Sequence, residues 1–276
     1  MTLNNDDFEN VSKLIYYRSG LSFDQKRMYF VIKRIQQRME ALGIEQVSRY
    51  LTLLRADFED RGEFQNLVNL LTTNESYFFR DYPQLESFAT NCLPEVLQKK
   101  HENGDNILRI WSAGCSSGEE AYTLAIILLE MLDDVDSWKI QIFANDIDEI
   151  ILEKAKSGVY EYRSIKDVPD EYLQKYFIHK DSHYLVKQEV KKLVTFELMN
   201  LNDQIAMRKM RFFDFVFCRN VLIYFDQTSR KRVIDNFYNS MSRGAYIFLG
   251  SSESIGRITA AFKLRRMGDY LVYSKE

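Results

Sequence analysis

Residues 107–126 read ILRIWSAGCSSGEEAYTLAI, an apolar strand pattern that passes through small residues into a helical pattern. A strand that turns directly into a helix is typical of the first unit of a doubly wound α/β sheet. Gly114 and Gly118 have no side chain, so the backbone could approach a ligand closely at this turn. The pattern therefore predicts a ligand site here, although a tight turn made only for packing would look the same.

The alternation of strand and helix continues downstream. Further strands are predicted at 139–146 (KIQIFAND), 212–218 (FFDFVFC) and 245–250 (AYIFLG). Helices are predicted directly after the strand at 139–146 and at about 230–241. We expect a parallel, doubly wound sheet that ends in a hairpin across Gly268. Residues 171–197 alternate over short stretches without a helix long enough for a crossover, which indicates a small antiparallel β insert.

In the first 73 residues, the spacing of the apolar side chains is that of α-helices throughout. Apolar residues recur at helical spacing until Gly43, and two shorter helical patterns follow at 46–54 and 64–71. Ser22-Phe23-Asp24-Gln25 has the form of a capping box before the longest run. We therefore predict an all-α domain over 1–73 and an α/β domain over 74–276, with the β insert at about 171–197.

Composition excludes several classes of protein. The chain of 276 residues is 46% hydrophobic, enough for a substantial core, and its net charge of −3 gives no overall field for nucleic acid. No apolar stretch approaches the ~20 residues of a membrane span. Three widely spaced cysteines suit free thiols in a reducing cytoplasm, and the three histidines show no metal-ligand spacing. We expect a cytoplasmic protein with no metal, no nucleic-acid partner and no membrane insertion.

The turn after the first strand favours a positively charged ligand over a phosphate. It matches neither G-x-G-x-x-G nor a P-loop, and Glu119 and Glu120 would repel an anion at the start of the helix. The next strand ends at Asp146, whose carboxylate could accept both hydroxyls of a ribose. An adenosine with a cationic tail fits both features, although Asp146 alone could equally be a helix N-cap.

Several blocks together resemble the CheR chemoreceptor methyltransferases. They are TTNESYFFRD (72–81), RIWSAGCSSGEEAYTLA (109–125), IFANDIDEIILEKAKSGVY (142–160), the pair Asn200-Leu201, FDFVFCRNVLIYFD (213–226) and YIFLGSSES (246–254). The resemblance implies an N-terminal helical domain and a Rossmann-like class I methyltransferase domain that uses S-adenosylmethionine and releases S-adenosylhomocysteine. It also implies the small β-subdomain. Where the family usually has threonine, this chain has Ser76 and Ser117, and it has Ala121 in place of proline.

The resemblance also implies a set of cofactor contacts. Glu119 would face the methionine amino group, Asp146 would hold the ribose, and the turn at Gly114 would lie against the cofactor. The other cofactor-binding residues implied by the family are Asn74, Ser76, Arg80, Asn200, Leu201, Asn220 and Val221.

The family transfers a methyl group to a glutamate side chain of a receptor. A glutamate with a pKa near ~4.3 is already ionised at neutral pH, so no general base is needed. Arg80 and Tyr224 are our catalytic candidates, because a guanidinium and a phenol can orient that carboxylate. Outside the motifs, Arg80 would read as a surface partner of Asp81, and Tyr224 as a half-buried aromatic residue.

The predicted partner is the cytoplasmic helices of chemoreceptors. Their glutamates could dock on a basic helix face, for which the candidates are Lys26, Arg27, Lys33, Arg34 and Arg38. Such a charge run can also be only a solvated face. The insert lacks a glycine-bearing loop, so we do not expect it to tether a receptor peptide. Two alternatives for the whole chain are a methyltransferase of another signalling protein and a non-catalytic module that senses the cofactor.

Overall fold

The computed structural model describes residues 5–56 and 62–276. The N-terminal part is all helical, as predicted. Its helices are α1 (Asn5–Ser19), α2 (Met28–Ala41), α3 (Val47–Ala56) and α4 (Gly62–Leu71). Within the described ranges, no helix is both long and apolar enough to cross a membrane.

The helices of this domain pack through one apolar stripe each. Val31, Ile35 and Met39 follow helical spacing along α2 and are buried against residues of α1, α3 and α4. The predicted capping box is not formed as proposed. Asp24, not Ser22, caps the short 3-10 turn Gln25–Arg27 by accepting the backbone N–H of Arg27 at 3.2 Å. Asp24 lies one residue before the turn, which is the N-cap position, whereas Ser22 lies two residues further away.

The α/β domain is built on a seven-stranded sheet. Its strands are β1 (Ile107–Ala113), β2 (Lys139–Asp146), β6 (Val194–Leu198), β7 (Phe213–Cys218), β8 (Met241–Leu249), β9 (Phe262–Met267) and β10 (Tyr270–Lys275). Their order is β6-β2-β1-β7-β8-β10-β9. The first five are parallel, and β10 runs antiparallel to β8 and pairs with β9 in the predicted hairpin. The doubly wound architecture is confirmed, with this antiparallel pair added at one edge.

Helices cover the sheet on both faces. They are α5 (Tyr82–Ser87), α6 (Leu93–Glu102), α7 (Glu119–Met131), α8 (Glu149–Ser157), α12 (Gln204–Lys209) and α13 (Gln227–Ser240). A π-helical turn at Phe88–Cys92 joins α5 to α6, and Phe88 inserts edge-on between Phe215 and Phe217 with ring centroids 4.9 and 5.2 Å away. On the opposite face, Trp111 packs against Phe237 of α13.

The β insert differs in extent from the predicted 171–197. It is a three-stranded antiparallel sheet of β3 (Val159–Glu161), β4 (Phe177–Lys180) and β5 (His183–Val186), with short helices α9 (Tyr162–Ile165), α10 (Asp170–Tyr176) and α11 (Gln188–Lys191). Strand β6 pairs in parallel with β2 and belongs to the large sheet. Short alternating runs carry no information about which sheet a strand joins, so sequence periodicity could not separate the two.

Candidate active site

A cavity of about 250 Å³ opens where the carboxyl ends of β1, β2, β6 and β7 meet the helical domain. Ligands of doubly wound sheets bind at this edge. The predicted residues that line the cavity are Asn74, Ser76, Arg80, Gly114, Asp146, Asn200, Leu201, Asn220, Val221 and Tyr224. The fold therefore brings together residues that lie up to 150 positions apart in the sequence.

The two glycines of the opening turn are required by packing. A Cβ on Gly114 would lie 2.4 Å from Cγ2 of Val221, and one on Gly118 would lie 2.9 Å from Cβ of Ala155. Both residues have positive φ, at +74° and +90°. Gly114 also lines the cavity, whereas Gly118 does not. Of the two, only Gly114 brings backbone close to a ligand.

Asp146 anchors the turn from the neighbouring strand. Its two carboxylate oxygens accept the backbone N–H of Ser116 at 2.8 Å and of Asp148 at 3.0 Å. Burial raises the pKa of Asp146 to about 6, although these two hydrogen bonds favour its ionised form. The residue that caps α8 is Asp148, which accepts the N–H of Ile151 at 3.1 Å. Asp146 is thereby left as an acceptor that faces the cavity.

The adjacent glutamates face different surroundings. Glu119 is 1% exposed and does not line the cavity, because its carboxylate accepts the hydroxyls of Ser117 at 2.7 Å and Ser164 at 3.1 Å. Glu120 does line the cavity. Of the two adjacent glutamates, Glu120 is therefore the one whose side chain lines the cavity, and a contact of Glu119 with the methionine amino group stays a prediction.

Arg219 connects the sheet to the segment that carries Arg80, and sequence reasoning missed it. Its guanidinium contacts Asp81 at 2.7 Å and Glu120 at 3.1 Å, and donates to the backbone carbonyl of Arg80 at 2.7 Å. The residue is 8% exposed. The signal in the sequence that could have singled out Arg219 was its position directly after β7, within the block FDFVFCRNVLIYFD (213–226).

The backbone around Arg80 is unusual. Phe79 and Asp81 on either side have φ of +57° and +56°, a conformation that bulky L-residues rarely adopt. Backbone hydrogen bonds hold the segment: Phe78 N–H donates to Ser164 O, and Phe79 N–H to the hydroxyl of Thr123. This arrangement directs the Arg80 side chain along the cavity wall.

The Arg80 guanidinium has no carboxylate partner among the described residues. It donates to the backbone carbonyl of Glu75 at 3.0 Å and lies 5.6 Å from the ring centroid of Tyr77. The surface pair with Asp81 that the sequence left open is not formed, because Asp81 pairs with Arg219. A cationic donor at a cavity wall is therefore available to an anion.

Tyr224 lies where the helical domain meets the sheet edge. Its hydroxyl donates to the carbonyl of Thr73 at 3.2 Å, and Arg27 lies over its ring at 5.6 Å from the centroid. The backbone N–H of Ser22 donates to the Tyr224 carbonyl. Arg27, one of the predicted docking residues, thus lies against a residue that lines the cavity.

The three asparagines predicted to bind the cofactor also form hydrogen bonds within the protein. Asn74 donates to the carboxylate of Asp148 at 2.7 Å, and Asn200 donates to the carbonyl of Arg18 at 3.0 Å. Asn220 has φ of +60°, and its N–H donates to Glu253 at 2.8 Å. The sequence did not single out Glu253, although the block that contains it was quoted.

The predicted docking residues divide into two groups. Lys26, Arg27 and Lys33 are exposed on the surface of the helical domain. Arg38 makes a two-pronged ion pair with Glu63, at 3.0 and 2.6 Å, and its side chain is 20% exposed. Arg34 lies over the ring of Phe30, 5.2 Å from the centroid. Arg38 is committed to the internal structure of the helical domain, so the free basic face is smaller than predicted.

The cavity has the donors and acceptors of an adenosine-binding site. The hydroxyl of Ser116 is buried with no hydrogen-bond partner among the described residues, and it belongs to the cavity lining. The Asp146 carboxylate can accept ribose hydroxyls, and the Glu120 carboxylate, although Arg219 balances its charge, can accept a further hydrogen bond from an ammonium group. Burial raises the pKa of the Cys115 thiol well above its usual range, so this lining residue is neutral. These groups fit S-adenosylmethionine.

Comparison with known proteins agrees with this reading of the cavity. The family model described as "CheR methyltransferase, SAM binding domain" matches residues 74–271, and "CheR methyltransferase, all-alpha domain" matches residues 6–72. The chain belongs to the CheR methyltransferase family. It is an S-adenosylmethionine-dependent methyltransferase, which confirms the family and the cofactor predicted from the sequence blocks.

Similar proteins of this family match over nearly their whole length. The chain is 38% identical to "Chemotaxis protein methyltransferase 2" of Vibrio cholerae over 277 residues, covering 100% of this chain and 94% of that protein. It is 33% identical to the "Chemotaxis protein methyltransferase" of Escherichia coli, covering 96% and 90%. It is also 31% identical to the "Chemotaxis protein methyltransferase" of Borreliella burgdorferi, covering 92% and 90%.

Proposed function

We propose that this methyltransferase forms methyl esters on glutamate side chains of chemoreceptor helices. The observation that carries the proposal is the Arg80 guanidinium, which lines the cavity without a carboxylate partner among the described residues. A guanidinium held at a cavity wall is suited to bind an incoming carboxylate. Relatives named as chemotaxis methyltransferases support the receptor as the source of that carboxylate.

The methyl donor would be held by groups on the sheet edge. Asp146 would accept the ribose hydroxyls, Ser116 would provide a further hydroxyl contact, and Glu120, although paired with Arg219, would accept a hydrogen bond from the methionine ammonium group. Leu201 and Val221 supply apolar contacts to the adenosine side of the cavity. When bound, S-adenosylmethionine supplies an electrophilic methyl group on a sulfonium centre.

The residues of the chain position and desolvate the acceptor. An ionised glutamate needs no proton removed, and among the described residues no histidine lines the cavity. Arg80 orients the carboxylate so that one oxygen faces the methyl group, and the Tyr224 hydroxyl bounds the same opening. Limited access of water keeps the carboxylate reactive, because full hydration would stabilise it before transfer.

The exposed cations of the helical domain would dock the acceptor. Arg27 lies over the ring of Tyr224, so the basic surface begins at the cavity rim and continues to Lys26 and Lys33. An acidic helix on this surface could present a glutamate to Arg80. We leave Arg38 out of this surface because Glu63 already neutralises it.

The direct test is methyl transfer to receptor-containing membranes with labelled S-adenosylmethionine. We expect label that mild base releases as methanol, because carboxyl methyl esters hydrolyse readily. Replacing receptor glutamates with alanine should abolish it. Base-stable label would indicate a different acceptor atom, and would contradict the proposal.

A matched pair of variants tests the docking step. Lys26→Glu with Lys33→Glu should raise the KM for receptor about tenfold, with kcat and S-adenosylhomocysteine affinity unchanged, since exposed charges mainly affect encounter. Lys154→Glu with Lys156→Glu, two exposed cations near the end of α8, makes the same change in net charge; it is the control and should leave KM unchanged. An equal effect of both variants would assign the change to net charge and remove the docking role.

A further inference from the structure

A second groove lies on the sheet near the amino ends of β1, β2 and β7, away from the methyl-donor cavity. Its volume is about 310 Å³, and its floor includes Gln141, Phe143 and Thr195. Helix α12 has six residues, and Lys209 at its end, together with Met210 and Arg211 after it, lines the groove.

Four cations converge on the groove: Arg109, Lys192, Lys209 and Arg211. None of them forms an ion pair among the described residues, in a chain whose net charge is −3. The Arg109 guanidinium donates to Gln141 at 3.0 Å and to the carbonyl of Arg211 at 3.5 Å, and Asp105 lies near enough to feel its charge. Four cations without a direct ion pair, gathered at one place, produce a local positive potential on an otherwise acidic molecule.

More positive charge lies beside the groove. Burial lowers the pKa of Lys275, and the nearby charges of Arg243 and Arg211 lower it further. Lys275 is held by the carbonyls of Tyr238 and Met241, so it is fixed in place. Arg211, Arg243 and Lys275 are therefore close enough to repel one another, and an anionic ligand would reduce this repulsion.

Two large apolar side chains are exposed on the segment that carries Lys209 and Arg211. Phe212 is 67% exposed and has φ of +62°, and it lies between Arg211 and Phe213, which both line the groove. Ile205 is 73% exposed on α12, one turn before Lys209. A phenylalanine held in an unfavourable backbone conformation with its ring in water is costly for folding, which indicates a use outside the folded core.

We propose that this surface, formed by Arg109, Lys192, Ile205, Lys209, Arg211 and Phe212, binds anionic phospholipid headgroups at a membrane surface. The cations contact lipid phosphates, and the two apolar side chains enter the interface between headgroups and acyl chains. A free nucleotide or phosphate would use the cations but would leave Phe212 and Ile205 in water. The lipid surface accounts for both sets of residues, and it requires no segment that spans the bilayer.

The test is sedimentation of the full chain with vesicles of phosphatidylcholine, with and without phosphatidylglycerol. We expect binding only to the anionic vesicles, weakening as salt increases. Lys209→Gln with Arg211→Gln should weaken binding about 25-fold, from about fivefold for each cation removed. Phe212→Ser should weaken it several-fold at high salt as well, because its contribution is apolar.

The matched control is Lys26→Gln with Lys33→Gln, which removes the same charge from the helical domain and should leave vesicle binding unchanged. All variants should bind S-adenosylhomocysteine like the parent chain, which shows that they are folded. Equal binding to both kinds of vesicle, or equal loss in the control, would overturn the proposal. So would binding of inorganic phosphate or ATP at Lys209 and Arg211 with no binding to anionic vesicles.

Discussion

The two walls of the methyl-donor cavity are built in different ways. The inner wall, formed by Ser116, Glu120 and Asp146, belongs to the sheet edge, and its carboxylates are already bonded to the protein. The outer wall, formed by Asn74, Arg80 and Tyr224, comes from the segment after the helical domain and from the turn after β7. Its Arg80 guanidinium forms no ion pair within residues 5–56 and 62–276, and donates to the backbone carbonyl of Glu75.

The difference assigns a different task to each wall. A buried, bonded wall is preorganised and can bind a cofactor without rearrangement. A half-exposed cation can exchange a weak internal contact for an incoming carboxylate. Variants of the inner wall should therefore change cofactor affinity or folding, and variants of the outer wall should change turnover.

Arg219 joins the two walls, so its removal should have the largest effect. Arg219→Met leaves Glu120 and Asp81 without their cation, and we expect the free energy of unfolding to fall by about 3–5 kcal/mol. Urea denaturation measures this change. Arg219→Lys keeps the charge but loses the forked contacts, so it should recover part of the loss. A stability equal to that of the parent chain would show that the walls are not coupled through Arg219.

Arg80 tests the outer wall. Arg80→Ala should reduce kcat on the order of 100-fold or more, because the acceptor carboxylate loses its oriented donor. Calorimetry with S-adenosylhomocysteine should show a much smaller change. If affinity falls as far as turnover, Arg80 belongs with the cofactor contacts and the division between the walls is wrong.

Gly114 tests how closely the inner wall is packed. Gly114→Ala places a Cβ 2.4 Å from Val221 at φ +74°, and should destabilise the fold by about 2–3 kcal/mol. Gly104→Ala is the control, since Gly104 has φ of +67° with nothing within 4 Å of its Cβ. Gly104→Ala should lower the free energy of unfolding by about 1 kcal/mol. Adding Val221→Ala to Gly114→Ala should restore stability toward the Gly104→Ala level; no recovery would refute the steric explanation.

The sequence predicted the architecture well because periodicity and turn chemistry are local. Strands β1, β2, β7 and β8 and helices α7, α8 and α13 lie close to their predicted positions. The blocks around Arg80, Gly114 and Asp146 contain residues that line the cavity. The insert was harder, because β3 has three residues and β6 joins a different sheet from β4 and β5. No local pattern encodes that pairing.

The roles of individual side chains depended on geometry that the sequence does not contain. Glu119 and Glu120 are chemically identical, and about 100° of helix rotation between them decides which faces the cavity. Arg219 binds a carboxylate 138 positions away, a contact that spacing cannot predict. Arg38 has the composition of a docking residue but is neutralised by Glu63 across the helical domain.

The smallest effect concerns the protonation of Asp146. Its pKa of about 6 in the folded chain exceeds its ordinary value of 3.8, so its contribution to folding stability is present below pH 3.8 and is lost as pH rises through 6. Cofactor binding has the opposite slope, because only the ionised carboxylate accepts both ribose hydroxyls.

We therefore expect S-adenosylhomocysteine affinity to be constant above about pH 7 and roughly tenfold lower at pH 5. Asp146→Asn should bind more weakly at neutral pH and show no such slope between pH 5 and 7, with Asp134→Asn as an exposed control that keeps it. Calorimetry across this range measures both. An affinity that stays level to pH 5 in the parent chain would mean that the ribose does not use the Asp146 carboxylate, and that the inner wall binds the cofactor through its turn backbone and Ser116 alone.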